Sequence, residues 1–162
     1  MALNKISYKS YDLNTFNNQT TLDVINVFDK LKNQELNKRF FEYYSSYFNK
    51  RFKSKNYRLF VIYSNGVSSG FLEGKIKGNS FMIDLIKIKE SFKNKKLGKK
   101  LFYHTVAHLR SKDKILHFPV SKSILDNKIL DIRENFLKRK NNSKIVKYKS
   151  KKRFDISVVK RK

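Results

Sequence analysis

The first third of the chain contains one short alternating stretch and two stretches with helical spacing. Ile6 and Tyr8 alternate with polar residues, which predicts a strand near residues 5–13. Residues 20–23 (TTLD) resemble a capping box, so a first helix is expected to begin there. A second helix is predicted over residues 36–52, where an aromatic stripe favours core packing over base stacking. The stripe consists of Phe40, Tyr44, Tyr47, Phe48 and Phe52.

Three β-rich stretches follow, separated by turn sequences. Residues 57–63 (YRLFVIY) are β-rich and largely apolar, which predicts a central strand. Asn65 and Gly66 form a turn signal before the second stretch at residues 70–74, and residues 77–80 turn again into a strand at Phe81. This spacing predicts an antiparallel meander.

A strand, a basic loop and a helix are predicted between Phe81 and Leu109. The loop holds five lysines between residues 93 and 100 together with a single glycine, Gly98. The backbone N–H groups at such a helix start can bind an anion, usually a phosphate, and the lysines add positive charge. The alternative is a solvated basic turn in front of an ordinary helix.

The last third of the chain contains a short apolar run, one helical stretch and two β-rich stretches. The run at residues 115–120 predicts a strand parallel to the one before the basic loop, and residues 124–136 predict a last helix. Residues 145–148 and 154–159 predict two final strands. The complete order is β-α-α-β-β-β-α-β-α-β-β, a mixed sheet flanked by helices in an α/β domain.

Composition supports one folded domain over residues 1–162. The chain is 40% hydrophobic and contains fourteen Phe, which excludes a disordered protein. The absence of cysteine excludes disulfides and thiolate metal sites. No apolar run is long enough for a membrane span and no signal peptide is recognised, so a cytoplasmic location, or one within a phage particle, is expected.

The net charge of +25 favours a polyanionic partner, with nucleic acid as the first candidate. Thirty of the 38 basic residues are Lys, a bias that an AT-rich genome also produces, so we expect diffuse phosphate attraction rather than sequence-specific recognition. Residues 138–162 contain twelve Lys or Arg, interleaved with aromatic residues that could stack on bases. The alternative is a solvated strand edge. The candidate nucleic-acid-binding residues are Lys147, Lys149, Lys151, Lys152 and Arg153.

Residues 93–98 (KNKKLG) resemble the acyl-CoA signature of the GNAT N-acyltransferases, Arg/Gln-x-x-Gly-x-Gly/Ala between a strand and a helix. Gly98 matches the second glycine, Lys96 replaces the first, and Lys93 replaces the Arg or Gln. The order of elements also resembles this family over essentially the whole chain. The resemblance implies acetyl-CoA or another acyl-CoA as cofactor, with its pantetheine arm along Ile86 and Ile88. Its pyrophosphate would lie on the loop formed by Lys93, Lys95, Lys96, Leu97, Gly98, Lys99 and Lys100.

Acyl transfer to an amine needs a base for the ammonium proton and a proton donor for the leaving thiolate. Asp84, on the strand before the loop, and Glu73, on the preceding strand, are the two candidate bases. The tyrosine that the family usually provides in the last helix is missing here, and Tyr148 is the candidate substitute. His104 and His108 are one helical turn apart, but no further ligand supports a metal site, so none is predicted.

Two functions remain open at this stage. The first is acyl-CoA-dependent N-acyltransfer to an anionic or nucleic-acid-associated target. The second is a catalytically inactive GNAT-like protein that binds nucleic acid or belongs to a ribosome-, phage- or mobile-element-associated assembly.

Overall fold

The computed structural model describes residues 5–28, 34–92 and 96–119. Over this part of the chain the elements follow the predicted order, from a first strand through two helices and three strands to a long third helix. A 3₁₀ turn, Glu90–Phe92, follows the last of these strands. The bounds are β1 Ile6–Tyr11, α1 Asn18–Ile25, α2 Gln34–Arg51, β2 Tyr57–Ser64, β3 Val67–Lys77, β4 Ser80–Ile88 and α3 Leu97–Asp113.

The four strands form one antiparallel sheet in the order β1-β2-β3-β4, which confirms the predicted meander and adds β1 to its edge. The run after α3 pairs parallel to β4, also as predicted. The N–H of Phe81 donates to the carbonyl of His117 at 2.9 Å, and that of Ile83 to the carbonyl of Pro119 at 2.9 Å. Pairing starts at His117, two residues later than expected, because Ile115 is instead buried against α3.

Two cores lie on opposite faces of the sheet. Leu59 and Val61 of β2 face α1 and α2, whereas Phe60 and Ile62 face α3. All four side chains are fully buried, which explains why β2 is apolar without alternation. The sheet is therefore covered on both faces.

The aromatic stripe of α2 is core, as predicted. Phe40, Tyr44, Phe48 and Phe52 are buried at the first face of the sheet, and Tyr47 is half-buried beside them. Their rings pack mostly edge-on or tilted, as in the Phe52–Tyr57 contact at 4.7 Å.

The start of α1 differs from the prediction. Asn17 is the N-cap, and its side chain accepts a hydrogen bond from the N–H of Gln19 at 2.8 Å, while Thr20 completes the capping box. Asp23, which was expected to close the box, is instead buried and accepts hydrogen bonds from the hydroxyls of Tyr11 and Tyr63. The error arose because Asn17 and Thr20 have the same spacing as Thr20 and Asp23, and the sequence does not distinguish the two.

Several predictions concern residues outside the described part of the chain. These are the last helix, the two final strands, Lys93, Lys95, Tyr148 and the basic residues Lys147, Lys149, Lys151, Lys152 and Arg153. None of the helices in the described ranges is long and apolar enough to span a membrane.

His104 and His108 lie on α3 and pack into the core beneath it. The His104 ring stacks on Tyr8 at 3.9 Å between centroids, and the His108 ring contacts Phe60 edge-on at 5.3 Å. Burial lowers the pKa of both imidazoles. The charge of His108 lowers the pKa of His104 further, and the charge of Lys112 does the same for His108. Within residues 5–28, 34–92 and 96–119, no three His, Cys, Asp or Glu side chains come together as a metal site would require.

We expect the fold to lose stability as the pH falls below about 6.5, the ordinary histidine pKa. The pKa values of the two histidines are lower in the folded protein than in the unfolded chain, so the unfolded chain takes up protons first as the pH falls. The free energy of unfolding that these histidines contribute is complete above pH 6.5 and is lost as the pH falls through their folded-state pKa values. The melting temperature between pH 7.5 and 5.5 measures this. Replacing both imidazoles in a His104→Phe, His108→Phe variant should flatten the profile, and an unchanged slope would contradict the assignment.

Candidate functional site

The pairing of β3 with β4 is irregular at one position, Asp84. Glu73 pairs with Leu85, and the next residue, Gly74, pairs with Ile83, so β4 has one extra residue between them. This is a β-bulge, which bends the strand and locally increases its twist. Bulges are frequent beside active sites because they redirect a side chain.

The bulge places Asp84 on the face of the sheet that α2 covers. Ile83 and Ile86 both pack in the core beneath α3, whereas Leu85 packs in the core of α1 and α2. Asp84 therefore lies beside Leu85, and its side chain is half-buried. Glu73 is on the same face, because it pairs with Leu85 and its side chain bonds to α2. The structure thus brings both predicted carboxylates together at the bulge.

Glu73 is a buried acceptor, with 2% of its surface exposed. The Tyr47 hydroxyl lies 2.9 and 3.0 Å from its two oxygens, and the Tyr57 hydroxyl donates to Oε1. Burial, followed by the negative charge of Glu73, raises the pKa of Tyr57 well above its usual value, so this phenol stays protonated as a donor. The carboxylate is therefore tied to α2 and β2 at the same time.

These tyrosine partners were missed by the sequence analysis. Tyr47 was assigned to the core stripe and Tyr57 to an apolar strand. The available signal was Glu73 itself, because a carboxylate inside an otherwise apolar strand must find hydrogen-bond donors.

Beyond the bulge, the outer edge of β4 presents the peptide groups of Ile86 and Ile88. The N–H of Lys89 donates to the carbonyl of Ser69 at 2.7 Å, so the odd-numbered residues of this stretch bond to β3. The peptide groups of Ile86 and Ile88 therefore point away from β3, and none of the described residues pairs with them. An extended amide-containing chain could bond along this edge, as predicted for a pantetheine arm.

The start of α3 exposes backbone donors next to this edge. Lys100 is the first residue whose N–H donates within the helix, to the carbonyl of Lys96 at 3.1 Å. The N–H groups of Leu97, Gly98 and Lys99 therefore have no acceptor inside the helix. Lys96 precedes them in the left-handed conformation, with φ 60° and ψ 23°, and its side chain makes no capping hydrogen bond. Such a helix start suits a phosphate group.

Gly98 fits the close approach of a bound anion. Within the described residues, a Cβ atom at this position would meet only the Ile88 side chain, at an ordinary 3.7 Å. The packing of the described residues therefore does not require a glycine here, and the missing side chain leaves room in front of the N–H groups of Leu97, Gly98 and Lys99. Together with the exposed side chains of Lys99 and Lys100, these groups would hold the pyrophosphate of an acyl-CoA.

Lys96 holds a backbone conformation that glycine adopts without strain, so Lys96→Gly should stabilise the fold by up to about 1 kcal/mol. Lys114 offers a matched control, because it has φ 57° at the other end of α3, far from the loop. Lys114→Gly should raise the free energy of unfolding, measured in urea, by a similar amount. A loss of stability in Lys96→Gly alone would mean that its side chain contributes contacts that outweigh the strain.

Residues 27–128, more than half of the chain, match the sequence profile of the acetyltransferase (GNAT) domain family. The chain therefore belongs to the GNAT acetyltransferase family, as the residues around Gly98 and the order of elements had suggested. It is an N-acetyltransferase by family, and acetyl-CoA or another acyl-CoA is its cofactor. A search of curated protein sequences finds no match.

Solved structures agree on the fold. The aminoglycoside N-acetyltransferase AAC(6')-Iy, solved with CoA, has a TM-score of 0.53 and 13% identity, covering 86% of this chain and 91% of its own. An aminoglycoside acetyltransferase from an uncultured soil metagenomic sample has a TM-score of 0.51 and 14% identity, covering 84% and 89%. A ribosomal-protein-alanine N-acetyltransferase from Brucella melitensis biovar Abortus 2308 has a TM-score of 0.50 and 10% identity, covering 72% and 78%. At these identities the likeness concerns the fold alone.

Proposed function

We propose that this N-acetyltransferase acts on an amine carried by an anionic target, such as a protein bound to nucleic acid, and that Asp84 is its general base. The observation that carries the catalytic part is the β-bulge. The bulge lies on the strand that precedes α3, and Asp84 is two residues before Ile86, whose peptide group points outward.

The acyl-CoA supplies the activated acyl group, and the residues of the chain position it and manage the protons. The N–H groups of Leu97, Gly98 and Lys99 would hold the pyrophosphate, and the edge of Ile86 and Ile88 would align the pantetheine arm. Asp84, directly or through a water molecule, would take one proton of the acceptor ammonium so that the free amine can attack the thioester carbon. The C–S bond then breaks, and the proton that the nitrogen loses on forming the amide goes to the departing CoA thiolate.

Glu73 is less suited to be the base. Its two oxygens already accept hydrogen bonds from Tyr47 and Tyr57, and 2% exposure leaves little access for an acceptor amine. A buried carboxylate beside the bulge adds a negative charge that favours a cationic acceptor group at Asp84. We assign Glu73 the role of a positioning residue that ties α2 to the sheet at this point.

The charge of the chain supports an anionic rather than a cationic acceptor molecule. A protein of net charge +25 attracts polyanions over a long range and repels small polycations such as aminoglycosides. The aminoglycoside acetyltransferases that share the fold therefore do not provide the best guide to the acceptor.

Radiolabelled acetyl-CoA and a fractionated cell extract test this proposal. We expect label to be transferred to proteins of nucleoprotein particles, and transfer to fall when the salt concentration rises from 50 to 200 mM or after nuclease treatment. Efficient acetylation of a free aminoglycoside, with no labelled nucleoprotein, would overturn the proposed acceptor. A thermal shift with acetyl-CoA is the parallel control, because a functional cofactor site must raise the melting temperature. No shift at millimolar acetyl-CoA would favour the inactive alternative.

A further inference from the structure

One end of the sheet gathers exposed lysines from three separate chain segments. It is the end at which β2 begins and β3 ends, opposite the start of α3, and we call it the distal end. The lysines come from the turn after α2, the end of β3 and the end of α3. They are Lys53, Lys55, Lys75, Lys77, Lys112 and Lys114, all of them exposed.

Direct contacts hold these segments together. The N–H of Ile76 donates to the carbonyl of Asn56 at 2.8 Å, which places the end of β3 beside the turn that carries Lys55. Arg58 donates to the carbonyl of Lys55 at 2.6 Å and approaches Asp113 of α3 at 3.6 Å. The lysines therefore share one surface in the fold, although they are up to 61 residues apart in the sequence.

Negative charge does little to balance this surface. Asp12 and Asp113 are half-buried acidic residues at the distal end, and Glu73, two residues before Lys75 on the same face of β3, is buried. Asp113 is paired with Arg58, and Asp12 accepts hydrogen bonds from the N–H of Asn14 at 2.9 Å and from the hydroxyl of Thr15 at 3.1 Å. The remaining lysines present a concentrated positive potential, in contrast to the first half of α2, where Glu35 and Glu42 offset the basic residues.

We propose that the distal end binds the phosphate backbone of a nucleic acid, through Lys55, Lys75 and Lys77 in particular. Lys75 and Lys77 protrude from the same face of β3, about 7 Å apart. This is close to twice the rise per nucleotide of a nucleic-acid strand, about 3.4 Å. Lys112 and Lys114 have a partial alternative explanation, since cations stabilise the C-terminus of a helix. The exposed ring of Tyr103 lies in the first half of α3, away from the distal end, so backbone contact without base stacking is expected.

This surface would bind the nucleic acid away from the residues that are proposed to hold the acyl-CoA. The nucleic acid would be held at the distal end while an amine on an associated protein reaches the bulge, so the two binding events use different residues. The inference rests on the proposed acceptor class, but it can be tested with bare oligonucleotides and without any catalysis.

The test compares two triple variants that remove the same charge. Lys55, Lys75 and Lys77 are changed to Gln in one, and Lys5, Lys9 and Lys38, which are exposed elsewhere, are changed to Gln in the other. Binding to a 20-base-pair DNA duplex and an RNA duplex is measured between 50 and 200 mM salt. The distal variant should lower the slope of log Kd against log salt by about 2 to 3, at roughly 0.9 for each lost phosphate contact, and the control variant by less than 1.

Equal slope changes in the two variants would overturn the proposal in favour of diffuse charge attraction. Stronger binding of the distal surface to vesicles of anionic lipid than to either duplex would overturn it in favour of a membrane surface, where the exposed Leu13 and Leu116 could contribute. In both variants the thermal shift with acetyl-CoA should remain that of the wild type, which confirms folding. If the wild-type protein binds neither duplex but still labels nucleoproteins, this surface is refuted and the proposed function stands.

Discussion

Replacing Asp84 with Asn is expected to lower kcat about 10²- to 10⁴-fold, the usual contribution of a positioned general base. Asn retains the size of the side chain at the bulge but cannot take the proton of the acceptor ammonium. Binding of acetyl-CoA should change little, because the proposed cofactor contacts lie on Ile86, Ile88 and the start of α3. The measurement is the rate of CoA release with the labelled nucleoprotein acceptor, together with the thermal shift produced by acetyl-CoA.

Two further variants are compared with Asp84→Asn. Glu42→Gln removes an exposed carboxylate on α2 and should leave both stability and rate unchanged. Glu73→Gln weakens the charge-assisted hydrogen bonds from Tyr47 and Tyr57 and should destabilise the fold by about 2 kcal/mol. If Asp84→Asn keeps the wild-type rate while Glu73→Gln is folded and inactive, the two carboxylates have the opposite roles.

Gly98→Glu should reduce the affinity for acetyl-CoA at least about 100-fold and at the same time raise the melting temperature. The stability of the fold rises because Glu is a better helix former than Gly and is favoured in the first turn of a helix. Among the described residues, its Cβ would meet only Ile88, at 3.7 Å. The affinity for acetyl-CoA falls because the new carboxylate lies where the pyrophosphate must approach. Two like charges a few ångströms apart repel by several kcal/mol at a protein surface.

Opposite signs for stability and binding make this prediction specific. Gly98→Gln separates bulk from charge, because it has the same shape as Glu and should weaken binding less. Isothermal titration with acetyl-CoA and urea unfolding provide the two measurements. If Gly98→Glu binds acetyl-CoA as well as the wild type does, then the start of α3 does not hold the pyrophosphate, and the cofactor site must be sought elsewhere.

Much of the candidate site could be predicted because it depends on local sequence. Gly98 and its neighbouring lysines follow a recognisable strand and begin a helix, and the resemblance placed the phosphate loop there before any fold was known. The left-handed conformation of Lys96 also agrees with the expectation that this position normally holds glycine. The distal surface was not predicted, because its lysines belong to segments that only the sheet brings together.

The sequence by itself determined the described strands and helices through their hydrophobic periods, the helix start near Gly98 and the strongly positive charge. These features need only neighbouring residues or composition. Only the tertiary structure decided the position of the bulge and the bonds of Glu73. A bulge arises from the register between two strands, and Gly74 permits it because a Cβ atom there would collide with the carbonyl oxygen of Met82 on the partner strand. Such contacts between distant segments depend on how the elements pack, and no local pattern records them.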